Sequence, residues 1–153
     1  MSLTIKTCNY RYRDLDGHYS LMSHSASMAA DKGLIVVCSA GNSGRGTWKK
    51  LTPPGDAENV ITVGAMDKNL VNADFSSVGN TADGRVKPDV MAVGVSSAVA
   101  GNDGTVSRAN GTSFASPTFL RTGGLFLAGM SVAHGERGDR SGTSFGRPGR
   151  CSR

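Results

Sequence analysis

The stretch "ANGTSFASPTF" (residues 109–119) places Ser113 between a Gly-Thr pair and a segment predicted to become a helix. Gly111 and Thr112 allow a tight turn and a close approach of backbone to a ligand. Pro117 falls in the first turn of that helix or just after it, where a missing N–H is tolerated. A serine at a helix N-terminus sits among amide donors that have no intrahelical partner, at the positive end of the helix dipole. That environment suits a hydroxyl that attacks a carbonyl and a transition state that develops negative charge on oxygen. The plainer alternative, Ser113 as an N-cap, needs the same residue types.

A nucleophile of this kind has to be held at the edge of a rigid frame. Residues 20–33, "SLMSHSASMAADKG", read as a helix, with Ser20 as N-cap, Lys32 in the last turn and Gly33 closing it. Three apolar, β-branched runs read as strands: 34–41 "LIVVCSAG", 59–66 "NVITVGAM" and 86–95 "VKPDVMAVGV". Continuous runs of that composition are the mark of strands buried on both faces. Pro88 sits at the start of the third run. Turn-rich pieces separate the runs, so the pattern predicts an α/β domain with a parallel sheet. Function gathers at the carboxyl ends of such strands, which is where "SAGNSG" follows the first run. Taken alone, Asn42 in that stretch reads as a turn residue. It is not part of a phosphate loop, because no GxxxxGK[ST] pattern is present.

Bulk properties exclude several classes. The 153-residue length fits one domain or part of one, and no apolar run is long enough to cross a membrane. The net charge of +5 belongs to the tail. Residues 121–153 carry six arginines against Glu136 and Asp139, whereas residues 1–120 carry eleven basic against ten acidic side chains. A nucleic-acid-binding face would carry its own basic excess, so nucleic acid is not expected as a partner. Cys8, Cys38 and Cys151 are too few and too scattered for a disulfide framework or a zinc site. Cys38, inside an apolar run, is expected to be a small buried residue.

Four separated stretches, "VVCSAGNSG" (36–44), "VITVGAMD", "ADFSSVGNTADGRVKPDVMAVG" and "NGTSFASP", together resemble the subtilisin-like serine proteases, the subtilases, in order and spacing over about residues 20–119. The resemblance implies a three-layer α/β/α fold with a mostly parallel sheet, of which this chain holds an incomplete part. It implies Ser113 as nucleophile and Asn42 as side-chain donor to the oxyanion, with the Ser113 backbone N–H as second donor. It also implies that Ser39, Ala40 and Gly41 border the substrate's side-chain pocket, and that the substrate is a polypeptide. No cofactor is expected; the family often carries calcium, but no motif here assigns a site. One departure is local: Ala92-Val93-Gly94 stands where the family often has Ala-Pro-Gly.

A serine hydroxyl needs a base to attack near neutral pH. The family supplies histidine and aspartate from motifs N-terminal to the oxyanion asparagine, and neither motif is found in this sequence. His18 follows a turn, His24 lies on the predicted helix and His134 lies in the tail; Asp14 and Asp16 belong to a charged loop expected to be solvated. Residues 1–119 are therefore expected to be the C-terminal portion of a subtilase catalytic domain, inactive alone. Alternatives are a peptide-binding pseudoprotease and one half of a split protease whose partner is the N-terminal part. Met1-Ser2-Leu3 reads equally as a remnant of a substrate-binding strand or as an expression scar. Residues 120–153 are expected to be aberrant, out of frame after a one-base shift near 118–120, or disordered. The resemblance implies a secreted or cell-envelope parent, although no signal peptide opens the chain, and the compartment stays open.

Overall fold

The computed structural model describes residues 10–123. The chain divides into two compact units, Met1–Arg121 and Thr122–Arg153, and the packing below concerns the first. Met1-Ser2-Leu3 and residues 124–153 lie outside the described residues, whereas 120–123 are helical.

Helix α1 spans Leu21–Asp31, shorter at both ends than the expected 20–33. Ser20 has the extended backbone of an N-cap, but its side chain makes no cap bond. Its hydroxyl lies 3.2 Å from that of Tyr10 instead. At the other end Gly33, at φ +87°, adopts the left-handed conformation that glycine accepts without strain. The N–H groups of Gly33 and Leu34 then close on the carbonyls of Ala30 and Ala29. The most deeply buried residues of α1, Ser23 and Ser27, are polar. Ser23 donates to Asp56 at 2.7 Å, and Ser27 donates to the Glu58 carbonyl and accepts from its N–H. Asp56, fully buried, also accepts from the Gly17 N–H.

Strands β1 (Val37–Ser39), β2 (Ile61–Met66) and β5 (Val90–Val93) form a parallel sheet in the order β1-β2-β5. The register pairs Cys38 with Thr62 and Ala65 with Ala92. Two antiparallel pairs flank it: β3 (Gly79–Asn80) with β4 (Val86–Lys87), and β6 (Ser97–Ala100) with β7 (Val106–Ala109). Helix α2 starts at residue 112. One face of the sheet buries Val63, Ala65 and Ala92 against Ala115 and Phe119 of α2. The opposite face packs Cys38, Ala57 and Val60 against Ala26 and Ala30 of α1. Alternation along the strands thus feeds two apolar layers, one per helix, which gives the three-layer α/β/α arrangement expected.

Two strand expectations are corrected. In the run 34–41 only Val37–Ser39 forms strand, and Leu34 and Ile35 are 62% and 56% exposed. They lie between the Gly33 turn and the first residue in register with β2, so no neighbouring strand covers them. The run 86–95 is broken at Pro88, which has no N–H to offer a ladder. Val86–Lys87 pairs with β3, and only Val90–Val93 joins the parallel sheet. Asp89 bridges the break: its N–H donates to the Thr62 carbonyl, and its carboxylate accepts from the Thr62 N–H at 2.7 Å and from Lys87 Nζ at 2.7 Å. The Lys87 ammonium, buried, also donates to the Val60 carbonyl at 2.9 Å. Cys38 is buried as expected, and desolvation pushes its thiol up to about 11.

Candidate active site

The loops leaving the carboxyl ends of β1 and β5 meet at the start of α2. Asn42 comes three residues after β1 ends. Its side-chain oxygen Oδ1 accepts two hydrogen bonds from Thr112, one from the backbone N–H and one from the hydroxyl, both at 2.9 Å. Thr112 is fully buried and is the first residue of α2. A side chain distant by 70 positions therefore does what a local N-cap would do, accepting from an N–H that the helix leaves unpaired. With its oxygen committed to Thr112, the carboxamide is fixed, and Nδ2 donates to no described residue.

Ser113 is exposed and is the second residue of α2. Its hydroxyl makes no hydrogen bond to a described residue, and neither does its N–H. The N-cap alternative for Ser113 is not what the structure shows: the helix has begun one residue earlier, and Asn42 serves as its cap. Pro117 stands just past the first turn of α2, within the expected range. Having no N–H, it leaves the Ser113 carbonyl without its usual i+4 partner. Among the described residues the start of α2 thus carries an unbonded Ser113 hydroxyl and N–H, one residue after the Thr112 that Asn42 holds.

The position of this group follows from close backbone contacts. The Gly111 N–H donates to the Gly94 carbonyl at 2.9 Å, and Gly94 donates to Met66 at the end of β2. A Cβ on Gly94 would lie 2.6 Å from the Gly111 carbonyl oxygen and 2.9 Å from Ala65 Cβ. Only a glycine lets the backbone before Ser113 pass this close to the end of β5. The Ala-Val-Gly departure keeps the one residue the packing requires.

The Asn42 loop is clasped by residues 74–77. Gly41, at φ +105°, gives its carbonyl to the Ser77 N–H at 2.9 Å. The Ser43 N–H donates to Ser77 Oγ at 3.0 Å. Gly44 donates to the Phe75 carbonyl, and a Cβ there would come within 2.5 Å of the Asp74 and Ser76 carbonyl oxygens. An exposed ion pair, Arg45–Asp74 at 2.7 Å, closes the outside of the clasp. The pair holds the Asp74 carboxyl below its ordinary value, the Arg45 hydrogen bond being the largest cause. Ala40, fully buried, gives its carbonyl to the Thr52 N–H and its N–H to the Val63 carbonyl, so the backbone leading to Asn42 is held from both sides. Residues 74–77 and Thr52 are parts of the site that sequence reasoning does not single out. The signals for them are "DFSS" inside a family-like motif and the left-handed Gly41, whose missing Cβ leaves room for Thr52 Oγ1.

The candidate bases are elsewhere. His18 lies 3.4 Å from Glu58, which precedes β2, and Asp16 gives its carbonyl to Arg85, whose guanidinium also donates to the carbonyl of Ala57, likewise ahead of β2. In a parallel sheet these are the amino ends of the strands, opposite the end that carries Asn42 and Ser113. Asp14 and Asp16 are not simply solvated. Asp14 accepts from the Arg11 N–H at 2.8 Å, and Asp16 accepts from the N–H groups of His18 and Tyr19, both at 2.9 Å. The His18 N–H is the largest cause of the lowered Asp16 pKa. His24 is exposed on α1, and His134 lies outside the described residues. Among the described residues no group of three or more His, Cys, Asp or Glu could hold a metal ion, and no helix is long and apolar enough to cross a membrane.

A parallel sheet with helices on both faces and a serine presented at a helix start define a class of hydrolase-like frames, and comparison narrows the class. The subtilase family profile matches residues 1–119. The chain belongs to the subtilase family. It is 39% identical over 111 residues to subtilisin DY of Bacillus licheniformis, a match covering 69% of this chain and 38% of that protein. It is 44% identical over 70 residues to the serine protease AprX of Bacillus subtilis, covering 41% of this chain and 16% of the other. Among solved structures, the self-cleaved protease domain of PatA superposes with a TM-score of 0.52 at 32% identity over 61% of this chain and 33% of that one. The prenylagaramide maturation protease PagA gives 0.59 at 26% identity over 71% and 37%. The chain thus spans about a third of the length of subtilisin DY and of these two structures.

Proposed function

We propose that this chain carries the nucleophile and oxyanion half of a subtilisin-like serine endopeptidase site, in which Ser113 attacks the scissile carbonyl of a polypeptide. The tetrahedral oxyanion is received by Asn42 Nδ2 and the Ser113 N–H, and the acyl-enzyme formed on Ser113 Oγ is then hydrolysed. Ser39, Ala40 and Gly41 border the pocket for the substrate side chain. The observation that carries this reading is the Asn42 carboxamide, whose oxygen is held twice by Thr112, the residue that immediately precedes Ser113. The loss of such an asparagine donor costs about 10²–10³ in turnover, a magnitude known from a subtilisin and not one that follows from this geometry.

Among the described residues the candidate bases His18 and Asp16 lie at the opposite end of the sheet from Ser113, and on this reading the chain alone is inactive. The test is chemical rescue with a fluorophosphonate probe. Labelling of Ser113 is expected to be slow, to rise with added imidazole, and to vanish in Ser113→Ala. Fast labelling without imidazole would show that the chain holds its own base. No labelling at any imidazole concentration would remove Ser113 from the nucleophile's role.

A further inference from the structure

We infer that Ser77 is a positioning residue of the proposed site, fixing where the Asn42 carboxamide stands by holding the backbone on both sides of it. The inference rests on the half-site reading above. The need for such a residue arises at the end of β1. In the β1–β2 ladder the Ile61 N–H donates to the Val36 carbonyl, and the Ala40 N–H donates to the Val63 carbonyl. The alternation of a parallel ladder would next bring the Ala65 N–H to the Ala40 carbonyl. Both groups are bonded elsewhere. The Ala40 carbonyl accepts from the Thr52 N–H, and the Ala65 N–H donates to Ser76 Oγ at 3.0 Å. The chain therefore leaves the β1–β2 ladder at Ala40, and Asn42 follows two residues later with no ladder to place it.

Ser77 supplies the placement that the ladder no longer gives. Its N–H donates to the Gly41 carbonyl at 2.9 Å, and its Oγ accepts from the Ser43 N–H at 3.0 Å. Gly41 and Ser43 are the chain neighbours of Asn42, so a single residue grips both flanks. Ser77 has no solvent exposure, so its hydroxyl sits where packing puts it. A Cβ on Gly41 would lie 3.0 Å from Ser77 Oγ, and the glycine keeps that approach open. The outer end of the Asn42 side chain is held separately, by Thr112. Ser77 thus locates the stem of Asn42 and Thr112 its tip. A donor to a developing oxyanion works only at the right distance, and a misplacement of about 1 Å can cost about 10²-fold in rate.

Ser77→Ala keeps the bond to Gly41 and removes the bond to Ser43, whose half-buried N–H is then released to water. The full chain is read three ways: imidazole-rescued fluorophosphonate labelling of Ser113, the Asn42 side-chain amide resonances by NMR, and urea titration, which checks folding. Ser77→Ala is expected to slow labelling about 10-fold, as a shift of less than 1 Å would, and to move the Asn42 resonances. Ser76→Ala is the matched control, because its hydroxyl is also buried and also accepts one backbone N–H, but from β2. It is expected to lower the urea midpoint as much as Ser77→Ala does and to slow labelling far less. Asn42→Asp keeps an acceptor for Thr112 and removes the oxyanion donor, and in that background Ser77→Ala is expected to slow labelling no further. Labelling of Ser77→Ala at the parent rate, equal slowing in Ser76→Ala, or the same slowing in the Asn42→Asp background would each overturn the inference. A parent chain that does not label with imidazole would remove the half-site reading on its own. The Asn42 resonances then decide for Ser77: movement in Ser77→Ala supports its hold on Asn42, and unmoved resonances overturn it.

Discussion

Asn42→Ala separates a built site from a surface turn. Asn42 is exposed, and an exposed turn residue is usually replaceable within about 0.5 kcal/mol. Here its oxygen is the acceptor for both the N–H and the hydroxyl of Thr112, a residue with no solvent exposure. Truncation therefore orphans two donors at the start of α2. An unsatisfied buried donor costs about 1–3 kcal/mol, so a total of about 2–4 kcal/mol is expected after partial relaxation. Thr112→Val keeps the volume and the backbone bond and removes only the hydroxyl bond, for about 0.5–1.5 kcal/mol. Urea unfolding followed by circular dichroism and Trp48 fluorescence reads both. The ordering is the critical result: Asn42→Ala must cost clearly more than Thr112→Val. A midpoint for Asn42→Ala within error of the parent chain would show that the Asn42–Thr112 clamp does not hold the helix start.

Other substitutions and conditions probe the surrounding frame. Gly94→Ala puts a methyl group 2.6 Å from the Gly111 carbonyl oxygen, and the overpacking is expected to cost about 1–3 kcal/mol in a urea titration while shifting the amide resonances of residues 111–113. Cys38, with its thiol pushed up to about 11, is expected to resist iodoacetamide at pH 8 in the folded chain and to be alkylated once denaturant is added, read by mass spectrometry of its peptide. The Arg45–Asp74 clasp follows pH in the direction set by a lowered carboxyl pKa. Its contribution is present above the ordinary carboxylate value of 3.8 and is lost as pH falls through the lower folded value. Because both groups are exposed, Asp74→Asn is expected to abolish that acid step with little change in stability at pH 7, measured by thermal melts across pH.

Much of this arrangement is legible in the sequence because it rests on local signals. The second apolar run forms β2 nearly as its composition predicts, and Gly33 ends α1 where glycine is expected to. The signal at Pro88, a residue without an N–H, has a larger effect than a strand start: it ends one pairing and begins another. The exposure of Leu34 and Ile35 is not readable, because an apolar run states what a strand could bury and not which neighbour arrives to cover it. The site shows the same divide. Asn42 and Ser113 are identifiable from their motifs, and the structure brings their loops together. The clamp on Asn42 by Thr112, the Ser77 clasp and the Gly94 contact join residues 17 to 70 positions apart. No periodicity encodes such pairings. Asp14 and Asp16 depart from expectation for the opposite reason: carboxylates in a charged loop can turn back on nearby N–H groups, and these two do.

The most direct measurement is hydrolysis of a fluorogenic peptide amide by the purified chain alongside its Ser113→Ala variant. A nucleophile and an oxyanion cradle without a base predict equal rates for the two proteins, both at the level of buffer. Turnover by the chain that disappears on replacing Ser113 would contradict the half-site reading.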